Sequence, residues 1–284
     1  MFCKEGRRIR SDIPMNAVSP FIMPNRVGAS NTFYATVDIG KCEELIRQMK
    51  ADGMKGLGMI HILMAAYIRT VSQLPGINRF ICGQRVYARK NIEICMTVKK
   101  ELKLNAPETV VKLYADPQDT LQSVYELLRK EVELNKQEGD NNNMDTAARV
   151  LVSFPGLFLR FTVWVLKVFD YFGMLPRFLT KLSPFHGSLF ITNMGSLGMP
   201  PIYHHLYEFG NLPVFIAMGG KRTEYVLNKD GETEKRRLLD FTVVCDERIC
   251  DGHYYATAFK KIKKLIENPE QLLTPPETVV EDIR

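Results

Sequence analysis

Residue types that can carry out acid–base chemistry are concentrated in two segments of this 284-residue chain. The first reads Cys-Asp-Glu-Arg-Ile-Cys-Asp-Gly, residues 245–252, and joins an apolar run to a helical pattern. The second reads Tyr-His-His-Leu-Tyr-Glu-Phe-Gly, residues 203–210. Carboxylates and imidazoles are frequent proton carriers in enzymes. Each segment is therefore a candidate catalytic or binding site, and the alternative for each is a solvated polar turn.

The second segment offers two imidazoles and two phenols between two predicted strands. His204 or His205 can accept a proton or hold a substrate, and Tyr207 is a candidate substrate contact. A histidine pair in a loop is otherwise typical of a hydrogen-bonded turn. With only Glu208 beside them, the two histidines are too few ligands to predict a metal site.

Hydrophobic periodicity indicates the elements that must position these segments. Strands interspersed with helices favour a mixed α/β sandwich over an all-α bundle. Three prolines before residue 31 predict an irregular start, and the polar stretch 137–143 predicts a mobile loop. The pattern predicts helices over 41–51, 59–74, 119–134 and 252–267, and strands over 32–39, 80–88, 91–99, 188–193, 214–218 and 239–245.

Composition is that of an ordinary globular protein, with 45% hydrophobic and 25% charged residues. The net charge of +6 fits a soluble basic surface or affinity for an anionic ligand such as CoA. No run of lysines and arginines interleaved with aromatic residues suggests nucleic-acid binding. Six cysteines without a C-x-x-C pair predict a reducing, cytoplasmic location, and the first ten residues lack the apolar core of a signal peptide.

Residues 245–252 resemble the His-x-x-x-Asp-Gly signature of the chloramphenicol acetyltransferase and dihydrolipoyl acyltransferase superfamily, with Glu247 at the histidine position. Residues 188–195, Ser-Leu-Phe-Ile-Thr-Asn-Met-Gly, resemble the family strand that ends in a Ser/Thr-Asn-Leu-Gly turn. Residues 267–270, Glu-Asn-Pro-Glu, resemble the end of its last helix. The resemblance covers residues 13–273 and implies one α/β domain, a mixed sheet sandwich covered by helices. Residues 1–12 and 274–284 are then terminal tails.

In that family a histidine removes the proton from a thiol or hydroxyl that attacks a thioester. A serine or threonine hydroxyl stabilises the resulting oxyanion, and the two groups come from neighbouring subunits of a trimer. By position, the resemblance implies that Thr192 is the hydroxyl and that Asn193 contacts substrate. Glu247, His204 or His205 would then supply the base. The implied co-substrate is acyl-CoA or CoA, with no bound cofactor.

The same resemblance gives the rest of the signature a structural role. Asp251 is expected to hold the turn through an ionic contact with Arg248, and Gly252 allows the chain to enter the last helix. A carboxylate has a reference pKa of about 4.3 against about 6.5 for imidazole, so it is the weaker base unless burial raises that value.

Two functions follow from these residues. The first is a stand-alone acyltransferase that transfers an acyl group from CoA or another thioester to a small acceptor, since the first 30 residues are too few for a lipoyl domain. The alternative is a catalytically inactive relative that acts as a trimeric binding or scaffold protein, because the expected histidine is replaced.

An apolar insertion of about residues 150–182 departs from the family pattern. Charges interrupt it, so its apolar runs are far shorter than the roughly 20 residues that a membrane span needs. It predicts a helix pair that packs on the domain or at a subunit contact. The alternative is binding to a membrane surface or an acyl chain.

Overall fold

The computed structural model describes residues 3–10, 13–99, 108–137, 153–228 and 230–283. The predicted loop at 137–143 lies almost wholly outside these ranges. The strands are β1 (Gly6–Arg8), β2 (Ser30–Asp38), β3 (Arg79–Cys82), β4 (Arg85–Arg89), β5 (Ile92–Lys99), β6 (Glu108–Ala115), β7 (Leu189–Asn193), β8 (Val214–Leu227) and β9 (Thr233–Asp246). The helices are α1 (Pro14–Ile22), α2 (Gly40–Ala51), α3 (Met59–Gln73), α4 (Leu121–Gln137), α5 (Gly156–Tyr171), α6 (Arg177–Leu182) and α7 (Gly252–Glu267).

A six-stranded mixed sheet of order β2-β9-β8-β7-β5-β6 forms the centre of the fold. Strand β7 runs parallel to β5 and β8, and the other pairs are antiparallel. Helices α2, α3, α4 and α7 cover one face and share with it the main hydrophobic core. A smaller core on the opposite face is covered by the connection between β7 and β8. The mixed α/β sandwich predicted from the sequence is confirmed.

Helix α7 shows how the sequence fixes the C-terminal part of the fold. The Asp251 side chain accepts a hydrogen bond from the Tyr254 backbone N–H at 2.8 Å and so caps the helix. A stripe of apolar side chains at helical spacing is buried against the core, and the lysines lie on the outer side. The structure thereby confirms the predicted helix over 252–267.

Two local predictions are wrong. The start of the chain is not irregular, because Pro14 occupies the first turn of α1, where the missing N–H costs nothing, and Pro20 falls near its end. The predicted strand over 80–88 is the β3–β4 hairpin, which forms a separate three-stranded sheet with β1. A tight turn with Gln84 at a φ of 55° divides it.

Both segments that the sequence assigns to terminal tails contact the domain. Strand β1 pairs with β4 near the start of the chain. Near the other end, the Val280 N–H donates to the Ser72 carbonyl at 2.8 Å, and Asp282 forms an ion pair with Arg79 at 2.5 Å. These contacts extend the packed structure beyond residues 13–273.

Candidate active site

Strand β7 presents Thr192 on the face of the sheet opposite the helices. Side chains alternate along a strand, so Ile191 points into the main core while Phe190 and Thr192 point to the other face. Thr192 is half-buried, and its Oγ1 lies 4.0 Å from the Met194 sulfur. Such a contact is weak, so the hydroxyl remains able to donate to a stronger acceptor.

The turn after β7 is held against β8 by close backbone packing. Asn193 precedes a short 3-10 helix, Met194–Leu197, and its carbonyl accepts a hydrogen bond from Ser196 Oγ at 2.7 Å. A Cβ atom at Gly195 would lie 2.4 Å from the Gly219 carbonyl oxygen. Only glycine fits this approach, which fixes the end of β7 and therefore the position of Thr192.

The His204 ring lies over the same face of the sheet. It stacks on Phe215 of β8 with a centroid distance of 3.9 Å and an interplanar angle of 5°. Phe215 in turn stacks on Phe190 of β7 at 5.0 Å. The Thr242 hydroxyl of β9 donates to the Ile202 carbonyl and anchors this part of the connection. The sequence alone identifies the two histidines as candidate site residues, but only the folded structure shows that His204 lies over the sheet.

The surroundings of His204 determine which ring nitrogen carries the proton. Its Nδ1 lies 2.6 Å from the His205 carbonyl oxygen. A carbonyl can only accept, so we assign the hydrogen to Nδ1, and Nε2 keeps its lone pair. Burial lowers the pKa of His204, which favours the neutral ring at pH 7. His204 is therefore a neutral imidazole whose Nε2 can accept a proton.

The other two candidates in this segment occupy different surroundings. His205 is exposed, and its ring lies nearly parallel to His204 at 4.8 Å. Tyr207 is half-buried and packs edge-on against Phe185 at 4.8 Å. Burial raises the pKa of Tyr207, so its hydroxyl is protonated at neutral pH.

Glu247 lies in the turn that follows β9 and is half-buried. Its backbone N–H donates to the Ala29 carbonyl at 2.9 Å, and its Oε2 accepts a hydrogen bond from Asn31 Nδ2 at 2.6 Å. The side chain is thus oriented by the edge strand β2. This contact occupies one carboxylate oxygen, and no described residue donates a hydrogen bond to the other.

The ionic contact expected between Arg248 and Asp251 is not formed. Arg248 instead donates from Nε and Nη2 to the two carboxylate oxygens of Asp246, at 2.8 and 2.7 Å. Asp251 is exposed and caps α7, which Gly252 begins. The prediction chose the wrong partner because it followed the ionic contact that the family resemblance implies for Asp251, whereas the bidentate contact uses Asp246 at the end of β9.

Strand register separates Thr192 from Glu247 within one protomer. Thr192 pairs with Ala217, and Ala217 pairs with Thr242. Glu247 lies five residues beyond Thr242, which is about 16 Å along the strand at roughly 3.3 Å per residue. Strands β7 and β9 run in opposite directions, so the hydroxyl and the carboxylate lie toward opposite ends of the sheet and do not form one site in a single chain.

A cavity of about 520 Å³ opens beside Arg26, Asp170 and His186. Thr192, His204 and Glu247 do not line it. The volume falls in the range of small-molecule sites, but the chemistry predicted from the sequence lies elsewhere on the molecule.

The architecture is that of the chloramphenicol acetyltransferase-like acyltransferases. Dihydrolipoamide acetyltransferase of Azotobacter vinelandii superposes with a TM-score of 0.58 at 15% identity, over 92% of this chain and 88% of that one. A probable dihydrolipoamide acetyltransferase of Listeria monocytogenes gives 0.57 at 13% identity, over 96% and 99%. A chloramphenicol acetyltransferase gives 0.53 at 12% identity, over 90% and 96%.

A family match agrees with this fold. Residues 180–274 match the model of the catalytic domain of the 2-oxoacid dehydrogenases acyltransferases. The matched third of the chain contains Thr192, His204, Glu247 and Asp251. The resemblance to the acyltransferase catalytic domain is therefore confirmed, while the assignment of Glu247 to the histidine position stays a prediction. No curated protein matches the chain by sequence.

Proposed function

We propose that this chain is a stand-alone acyltransferase that moves an acyl group from CoA or another thioester to a small acceptor. The observation that carries the proposal is the family match over residues 180–274. Within it, a half-buried threonine hydroxyl and a neutral imidazole lie on one face of the sheet. The Azotobacter vinelandii relative has a catalytic mechanism in which a serine, a histidine and an asparagine are assigned roles. Thr192 takes the serine's place in our proposal.

The proposed step is nucleophilic substitution at a thioester. The acceptor hydroxyl or thiol attacks the carbonyl carbon and gives its proton to the base. Thr192 Oγ1 donates a hydrogen bond to the carbonyl oxygen as negative charge develops on it. The carbon–sulfur bond then breaks, and the thiolate leaves and takes up the proton from the base. The acceptor gains the acyl group, and free CoA or the carrier thiol is released.

His204 Nε2 is the base that we propose. His204 lies over Phe215, which is two residues out of register with Thr192 on the neighbouring strand. That places the two groups on the order of 10 Å apart, which leaves room for a thioester and an acceptor between them. Glu247 is the alternative base, from a neighbouring subunit, because the register separates it from Thr192 of its own chain.

A homotrimer completes the proposal, with the site at the contact between subunits. Helix α1 supports it through four exposed apolar side chains, Met15, Val18, Phe21 and Ile22. Residues 13–25 contain no charged side chain, and depletion of charge is typical of the core of a protein interface. We expect light scattering on purified protein to give three times the monomer mass. A monomer at micromolar concentration would contradict this part of the proposal.

Replacing His204 by glutamine should lower kcat for acyl transfer about 10²- to 10⁴-fold, because the base is lost. The pH profile gives a second readout. Burial lowers the pKa of His204, and only the neutral ring can accept a proton. The wild-type rate should therefore persist on acidification below the ordinary histidine value of about 6.5, and fall only as the pH passes the lowered pKa.

The measurement is thiol release from a panel of acyl-CoAs at pH 5 to 8. His253→Gln is the matched control, because this histidine is exposed at the start of α7. Glu247→Gln should leave kcat within about threefold. Activity lost in Glu247→Gln and kept in His204→Gln would make the carboxylate the base. The absence of thioester cleavage by the wild type would contradict the proposed function.

A further inference from the structure

The outward face of α5 is apolar. Leu157, Phe161 and Trp164 follow each other at spacings of four and three residues, so they form one stripe. Their exposed fractions are 83%, 59% and 59%. No residue of the helix is buried. The inner side is partly polar, since Asp170 lies 2.9 Å from His186 Nε2 and accepts from the Gly210 N–H. The other half-buried positions are mostly apolar, among them Leu159, Leu166 and Val168. The helix is therefore apolar on its outward side as well as on its inner side, unlike an ordinary surface helix.

The apolar stripe continues into α6 and the segment between the two helices. Exposed side chains there include aromatic rings and a methionine. We call residues 154–182 the α5–α6 surface. Its exposed large apolar residues are Phe154, Leu157, Phe158, Phe161, Val163, Trp164, Phe169, Tyr171, Phe172, Met174, Phe178 and Leu182. A patch of this extent on a soluble protein marks an interaction site.

Basic side chains are interspersed with these apolar residues. Arg160, Lys167, Arg177 and Lys181 are all exposed. None of them forms an ion pair with another residue in the described ranges. Asp170 is the only acidic residue of the surface, and it points to His186 instead. The α5–α6 surface is therefore both apolar and positively charged.

The combination of apolar and basic side chains distinguishes the α5–α6 surface from helix α1. An uncharged apolar face such as that of α1 suits contact with another protein, because a desolvated unpaired charge is costly. Exposed lysines and arginines beside a tryptophan and phenylalanines suit a bilayer surface instead. There the rings enter the headgroup region while the cations meet anionic lipid.

We propose that the α5–α6 surface binds membranes that contain anionic phospholipid, with α5 lying in the plane of the interface. No helix in the described part of the chain is long and apolar enough to cross a bilayer. The 16 residues of α5 extend about 24 Å, which is shorter than a hydrocarbon core of about 30 Å. This inference does not depend on the acyl-transfer proposal.

The chain carries its own probe, because Trp164 is its single tryptophan. We expect its fluorescence to shift to shorter wavelength when the full chain meets vesicles of phosphatidylcholine with about 30% phosphatidylserine. Pure phosphatidylcholine vesicles should give a much smaller shift. Salt at about 0.5 M should reverse most of the binding, because it screens exposed charges.

Vesicle sedimentation with variants separates the apolar contribution to membrane binding from the electrostatic one. Phe161→Ser should weaken binding through lost apolar contact. The double variant Arg177→Gln and Lys181→Gln should weaken it about 10- to 30-fold on anionic vesicles alone. The matched control is Lys260→Gln with Lys264→Gln, which removes two exposed lysines at the same spacing from α7. That control should bind like the wild type.

Three results would overturn the proposal. One is a tryptophan emission wavelength that stays unchanged when anionic vesicles are added. Another is equal binding by both double variants, which would mean that net charge alone attracts the protein. The third is emission already shifted to short wavelength without vesicles and unaffected by them, since another copy of the chain would then cover the surface.

Discussion

Thr192→Val should lower kcat for acyl transfer about 10²- to 10³-fold, the effect expected when one oxyanion donor is removed. Valine keeps the β-branched shape that fits strand β7, so the backbone and its neighbours Phe190 and Ile191 are undisturbed. The weak contact of Oγ1 with Met194 adds little stability. Loss of the hydroxyl therefore removes a hydrogen bond that forms mainly in the transition state, and KM should change little.

The comparison needs three variants assayed side by side for thiol release. Thr192→Ser keeps the hydroxyl and should retain most of the activity. Thr233→Val changes an exposed threonine at the distal end of the β8–β9 hairpin and should match the wild type. An unchanged kcat in Thr192→Val, with thioester cleavage intact, would remove this residue from the mechanism. A rise in KM with kcat unchanged would instead assign Thr192 to substrate binding.

The sequence predicts those parts of the fold that depend on local periodicity. The helix over 252–267 and the strand over 188–193 that carries Thr192 are encoded within a few neighbouring residues, and both are confirmed. Prolines were misleading in α1, because their effect depends on position within the helix and not on their number.

The geometry of the candidate site could not be predicted in this way. The stack of His204 on Phe215 joins residues of a loop and a strand, and the distance from Thr192 to Glu247 follows from the register of three strands. Neither the stack nor the distance can be read from the spacing of residues along the chain. The partner of Arg248 was missed for a different reason, because Asp246 lies only two residues earlier, directly after the predicted strand over 239–245, and was a visible signal.

Arg248→Met should destabilise the protein by about 3 to 5 kcal/mol, because it leaves the Asp246 carboxylate buried without its partner. The two side chains are only 3% and 2% exposed. Arg248 Nη1 also donates to the carbonyls of Met23 and Pro24. One guanidinium thus ties the end of β9 to the segment after α1, and methionine replaces none of these hydrogen bonds.

Urea unfolding followed by circular dichroism measures this loss. The control is Arg236→Met, which breaks an exposed pair with Glu234 on β9 and should change the free energy of unfolding by less than about 1 kcal/mol. Adding Asp246→Leu to Arg248→Met should recover part of the stability, because the unpaired charge is removed as well. If the double variant were as unstable as the sum of the single variants, the ion pair would not be the cause. The loss would then come from the bonds to Met23 and Pro24, and α1 would be the element that this arginine holds in place.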